Sequence, residues 1–88
     1  MIHLVFLGKF GEVAPAGLGE IAIAVLRQAG VRTLGDLLHW LEGREPVLGR
    51  TMAATRTRMI VNQCVAHDLS QVIADGDEIA FLPPMSGG

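Results

Sequence analysis

The chain has 88 residues, half of them apolar, with seven Lys and Arg against nine Asp and Glu and a net charge of −2. That is one small domain with enough apolar material for a single core, which excludes a disordered chain. The charge balance excludes an electrostatic grip on DNA or RNA, and three Phe, one Trp and no Tyr leave no stacking platform for a single strand.

No apolar stretch approaches the ~20 residues that a membrane span needs. One cysteine, Cys64, cannot form an internal disulfide. Met1-Ile2-His3-Leu4 lacks the basic start of a secretory signal. The expectation is a soluble, cytoplasmic protein.

Ile2 to Leu7 is a compact apolar run ended by Gly8, which predicts a strand buried on both faces. Gly8 to Gly19 holds four glycines and Pro15 and reads as a loop, with one helical turn at Phe10 to Val13. Ile21 to Leu26 alternates large and small side chains and reads as a second strand. Thr33 to Gly43 is the clearest helix, because Leu34, Leu37, Leu38 and Leu41 form one apolar stripe. Thr33 with Asp36 resembles a capping box, and Gly43 suits a left-handed stop. Trp40 borders the stripe as a packing residue, and His39 lies off it in solvent.

Pro46 to Thr57 has weak periodicity and fits either a loop or a second short helix. Met59 to Asn62 reads as a strand, Asn62-Gln63 as a turn, and Val65 to His67 as a short return strand. Leu69 to Ala74 is a connector. Asp75-Gly76-Asp77 is a tight turn, and Glu78 to Leu82 is the last strand, ended by Pro83. One helix and four or five strands give an α+β sandwich, with one main helix packed on one face of a mixed sheet.

Side-chain chemistry is sparse. Gly17 to Ala22 matches G-x-G-x-x-A, but the chain is too short for a dinucleotide fold. "GREPVLGRT" at Gly43 to Thr51 has the wrong glycine spacing for a phosphate loop and Arg50 in place of Lys. Cys64 and His67 are spaced C-x-x-H, yet His3 and His39 are too far away in sequence to complete a zinc set, so Cys64 reads as a small buried residue. Four arginines between Arg44 and Arg58 read as a solvated face. No catalytic constellation is present, and no bound cofactor or metal is expected.

The ending "FLPPMSGG" is the exception. With no reactive side chain, the remaining candidate is the main-chain carboxylate of Gly88, which becomes an acyl donor once ATP adenylates it. Gly87 and Gly88 form the thinnest tip that can enter another protein's active site. Pro83 and Pro84 pre-set the backbone of the stalk and so reduce the ordering cost of ~1–2 kcal/mol per residue.

"VNQ" at Val61 to Gln63 and "DGDEIAFLPPMSGG" at Asp75 to Gly88 resemble the family of molybdopterin synthase small subunits, within the wider ThiS/MoaD class of sulfur carriers. The resemblance covers the whole length in order and size, whereas Gly8 to Thr57 matches in outline only. Gly8 to Gly19 is glycine-rich where the family often has a charged helix, and Leu82 stands where an aromatic is common.

The resemblance implies a β-grasp, ubiquitin-like domain over 1–82 and an extended tail over 83–88. It implies that Gly88 is adenylated by an E1-like, MoeB-like enzyme using ATP and converted to a thiocarboxylate. Pro83, Pro84, Met85, Ser86 and Gly87 would then carry the sulfur into the large, MoaE-like synthase subunit, which supplies the catalytic side chains. The product would be the dithiolene of molybdopterin. If Leu4 and Phe6 face the helix, then Val5 and Leu7 face outward, as do Ala80 and Leu82 when Ile79 and Phe81 face inward. Leu7, Val65 and Leu82 are thereby expected to form a docking patch beside the tail. The alternatives at this stage are a carrier for thiazole or cysteine synthesis, a ubiquitin-like modifier, and an interaction module whose tail has no role.

Overall fold

The computed structural model describes residues 1–84. In chain order the elements are β1 (Ile2–Phe6), α1 (Lys9–Val13), β2 (Glu20–Ile21), α2 (Ile23–Gln28), α3 (Leu34–Arg44), α4 (Pro46–Ala53), β3 (Arg58–Val61), β4 (Cys64–Ala66) and β5 (Glu78–Leu82). The sheet order is β2-β1-β5-β3-β4. β5 is therefore central, parallel to β1 on one side and antiparallel to β3 on the other.

β1 is buried on one face only. Ile2 and Leu4 point into the core, while His3 and Val5 are exposed. An apolar residue on each face made the run look buried on both sides. Among the described residues no helix covers the other face at this point, so Val5 keeps its exposure.

The segment expected to be a strand at Ile21 to Leu26 is mostly helix. Pairing with β1 stops after Ile2↔Ile21 and His3↔Glu20, and α2 begins at Ile23. Its large-small alternation also satisfies a helical period: Leu26 is buried three residues after half-buried Ile23, and Val25 is left outside. Gly30 closes α2 with φ +80, and the Val31 N–H returns to the Leu26 carbonyl at 2.9 Å.

α3 starts as expected. Thr33 accepts from the Asp36 N–H at 3.1 Å, and the Asp36 carboxylate accepts from the N–H groups of Arg32 and Thr33 at 3.0 and 3.1 Å. Those donors, Arg32 first, hold the Asp36 carboxyl below its ordinary value. Its end is not Gly43. The helix runs through Arg44, and Glu45 leaves helical geometry at φ −128, ψ 84. Pro46 is the cause, because it bars the preceding residue from helical geometry while its own φ suits the first turn of α4. Pro46 to Thr57 is thus resolved in favour of a short helix followed by a turn.

α3 and α4 pack closely at Gly49, where a Cβ would lie 2.6 Å from Glu42 Cα. Leu34, Leu37 and Leu41 of α3 and Leu48 of α4 are fully buried, with Phe10 of α1 and Leu26 of α2 beside them. They meet Ile2, Leu4, Met59, Val61, Ile79 and Phe81 from the sheet. Fully burying each of these large side chains contributes roughly 1.5–3 kcal/mol. At the tail end of the core, Phe6 and Phe81 stack with ring centroids 5.1 Å apart. Trp40 packs against the core from its edge, with the Arg44 guanidinium 5.1 Å from its ring. Among the described residues no helix is long and apolar enough to cross a membrane.

Candidate functional site

The tail root is built by the central strand. Hydrogen bonds hold β5 on both edges, and the Leu7 N–H donates to the Phe81 carbonyl at 3.0 Å just before the chain leaves the sheet. Pro83 and Pro84 follow directly, both half-buried. The rest of the expected tail, Met85, Ser86, Gly87 and Gly88, lies outside the described residues. Pro83 lies against Gly8, the second of the two residues between β1 and α1. Gly8 has φ +56 and ψ −136, and a Cβ there would stand 3.1 Å from Pro83 Cγ.

The start of β5 is fixed as firmly. Asn62 and Gln63 have φ +50 and +70, the paired positive values of a two-residue hairpin turn. The Asn62 side chain donates to Asp77 Oδ1 and accepts from the Glu78 N–H, both at 2.9 Å. Asp77 Oδ2 in turn accepts from the Ala74 N–H at 2.8 Å. One side chain therefore ties the β3–β4 hairpin to the turn that launches β5. Gly76 in that turn has φ +90, as the Asp-Gly-Asp sequence predicts.

The sheet's uncovered face lies beside this tail root. Its middle row follows from the strand registers: Val5 pairs with Ala80, Ala80 with Ile60, and Ile60 with Val65. Val5, Leu7 and Val65 are 36, 37 and 50% exposed, Ile60 and Leu82 are half-buried, and Ala80 is 8% exposed. Leu7, Val65 and Leu82 are thus all available at the surface, though Leu82 less than the other two. Sequence reasoning did not include Ile60. It sits inside the apolar run Met59-Ile60-Val61, where only the pairing register decides which residue faces out. Exposed Arg58 stands opposite Leu82, and exposed Lys9 follows Gly8, so cations mark the tail end. Glu20 and Glu78 flank His3 at the far end.

A cavity of about 420 Å³ lined by Ile23, Arg27, Val31, Arg32, Val72 and Ile73 involves none of the residues of this face. Cys64 is exposed, which corrects the expectation of a buried thiol, because β4 is an edge strand with a neighbour on one side only. No group of three His, Cys, Asp or Glu comes together among the described residues.

A family model described as the ThiS family matches residues 16–88. A molybdopterin synthase sulfur carrier subunit of Mycobacterium tuberculosis (strain ATCC 25618 / H37Rv) is 42% identical over 55 residues, covering 62% of this chain and 63% of that one. A protein of the same name from Phaeosphaeria nodorum (strain SN15 / ATCC MYA-4574 / FGSC 10173) is 37% identical over 59 residues, covering 60% and 62%. The match thus spans under two thirds of either relative's length. Among solved structures, the crystal structure of SAMP1 from Haloferax volcanii aligns over 99% of this chain and 98% of its own, with a TM-score of 0.65 and 25% identity. The fold is the ubiquitin-like β-grasp, and the chain belongs to the ThiS family.

Proposed function

We propose that the chain is a sulfur carrier that serves as the small subunit of molybdopterin synthase. The observation that carries this is where the central strand delivers the chain. β5 is anchored on both edges and passes from Leu82 through Pro83 and Pro84 at the margin of an exposed apolar face. A tail rooted in a rigid sheet, next to a surface for a protein partner, is what delivery of a terminal group requires. The names of the two relatives support the choice of pathway.

The chemistry belongs to the Gly88 carboxylate. It attacks the α-phosphorus of ATP held by an E1-like adenylyltransferase and releases pyrophosphate. Hydrosulfide-level sulfur attacks the carbonyl carbon of the acyl adenylate, the C–O bond to AMP breaks, and a thiocarboxylate is left with AMP released. Pro83 to Gly87 present that sulfur inside the large synthase subunit, where two transfers build the dithiolene on a cyclic pyranopterin monophosphate. Tethering sulfur to a folded domain replaces diffusion of free sulfide with a high effective concentration at the reacting carbon. Val5, Leu7, Ile60, Val65 and Leu82 form the docking surface, and Lys9 and Arg58 orient the partner with respect to the tail.

Intact-mass measurement tests this. The chain is incubated with ATP, an E1-like adenylyltransferase and a sulfur donor. A mass gain equal to exchange of one oxygen for sulfur is expected, followed by loss of that gain on adding the large subunit and the pterin precursor. Isopeptide adducts in extract would instead mark a protein modifier. Thiocarboxylate that the synthase ignores would mark a carrier for another sulfur product.

A further inference from the structure

We propose that Gly8 is a positioning residue for the tail: its bare Cα seats the Pro83 ring and so sets the direction in which the chain leaves β5. The inference rests on the carrier function proposed above. Three observations carry it. Gly8 lies on a different segment from the tail, 75 residues earlier, yet its missing Cβ would stand 3.1 Å from Pro83 Cγ and 3.6 Å from Cδ. Its φ of +56 with ψ −136 is backbone geometry that L side chains rarely adopt, so a side chain there is strained and also forces the Pro83 ring to shift by a few tenths of an ångström. The Leu7 N–H to Phe81 carbonyl bond holds the two segments together one residue before Gly8 and two before Pro83, so Pro83 cannot slide away freely.

Proline adds the second half of the device. Its ring fixes φ, so a ring packed against Gly8 fixes both the position and the heading of the first tail residue. In the β1–α1 connection Gly8 has no catalytic group to offer. It acts on the reaction through where the tail points. The docking face reaches the tail root through Leu7 and Leu82, but neither Gly8 nor Pro83 supplies a side chain to it, and its middle row of Val5, Ile60 and Val65 is held by strand pairing rather than by this contact.

A double-mutant cycle tests the contact. Wild type, Gly8→Ala, Pro83→Gly and the double variant are compared for ATP-dependent adenylation by an E1-like enzyme, at a temperature where circular dichroism shows each to be folded. Each single change is expected to lower kcat about tenfold or more at an unchanged KM, because docking is intact while the carboxylate arrives misplaced. The double variant should fall no further than the worse single one, since both changes remove one contact. Wild-type kcat in Pro83→Gly, or losses that multiply in the double variant, would overturn the proposal. A fall in melting temperature alone, with kcat and KM unchanged, would reduce Gly8 to a structural residue. If Gly8→Ala does not fold, Pro83→Gly still decides, because it leaves the Gly8 backbone intact. If no E1-like enzyme activates even the wild type, the carrier function fails and the geometry is read separately by NMR. A nuclear Overhauser contact between Gly8 Hα and the Pro83 ring protons is then expected, and its absence refutes the seat.

Discussion

Asn62 makes two separable contributions to the strand that bears the tail, and substitution can divide them. Its side chain donates to Asp77 Oδ1 and accepts from the Glu78 N–H, both at 2.9 Å. Its backbone sits at φ +50, a conformation in which Asn is tolerated and Ala is not. Both hydrogen bonds are at the surface, so each is worth about 0.5–1 kcal/mol, the lower part of the usual range. Asn62→Gly removes them but keeps the positive φ without strain, for a loss of about 1–2 kcal/mol. Asn62→Ala also bears the left-handed penalty of about 1 kcal/mol, for a total near 2–3 kcal/mol. In a domain of this size that is a fall in melting temperature of about 10–20 °C for Ala, and roughly half as much for Gly. Thermal unfolding followed by circular dichroism, with urea midpoints as a second measure, reads the difference. Equal losses for Ala and Gly would show that the turn carries no left-handed cost. An unchanged Ala variant would refute the role of Asn62 altogether.

Four further outcomes are expected. Gly49→Ala pushes a methyl to 2.6 Å from Glu42 Cα, so α3 and α4 must separate; a loss of about 1–3 kcal/mol is expected in urea unfolding. Asp36 has its carboxyl held low by the Arg32 and Thr33 N–H groups. The stability it supplies is therefore present above its ordinary value of 3.8 and lost as pH falls through the lower folded value, so Asp36→Asn should flatten the acid limb of a stability-against-pH curve. Leu82→Glu or Val65→Glu places a carboxylate on the uncovered face, and should weaken binding to the large synthase subunit in calorimetry while leaving the melting temperature within a few degrees. Leu82→Glu is the stricter case, because an unfolded product would assign that half-buried side chain to the core. Appending a few residues after Gly88, where no protease trims them, should abolish thiocarboxylate formation by intact mass.

Much of the architecture was legible in local pattern. The α3 stripe and its Thr33–Asp36 cap, the Asn62-Gln63 turn, the Asp75-Gly76-Asp77 turn and β5 each follow from residues adjacent in the chain. Ile21 to Leu26 is not decided locally, because a six-residue apolar segment satisfies both periods, and the pairing partner that ends the strand after Ile21 lies in β1. The end of α3 is ambiguous in sequence because Gly43 and Pro46 offer competing stops; the proline takes precedence by sterics. Cys64 looked buried by residue type, and only its place on an edge strand exposes it.

By itself, then, the order of residues determined the covalent backbone character of the segment from which the proposed carrier tail is made. Pro83, Pro84 and two terminal glycines have the same backbone chemistry in any surroundings, because a ring on the nitrogen and a missing Cβ are covalent facts. Tertiary structure alone decided what stands next to that stalk. Ile60 reaches the outer face only through the register of β3 with β4 and β5, and Gly8 meets Pro83 only because β1 and β5 run parallel side by side. These are contacts between residues far apart in the chain, and no local periodicity encodes them.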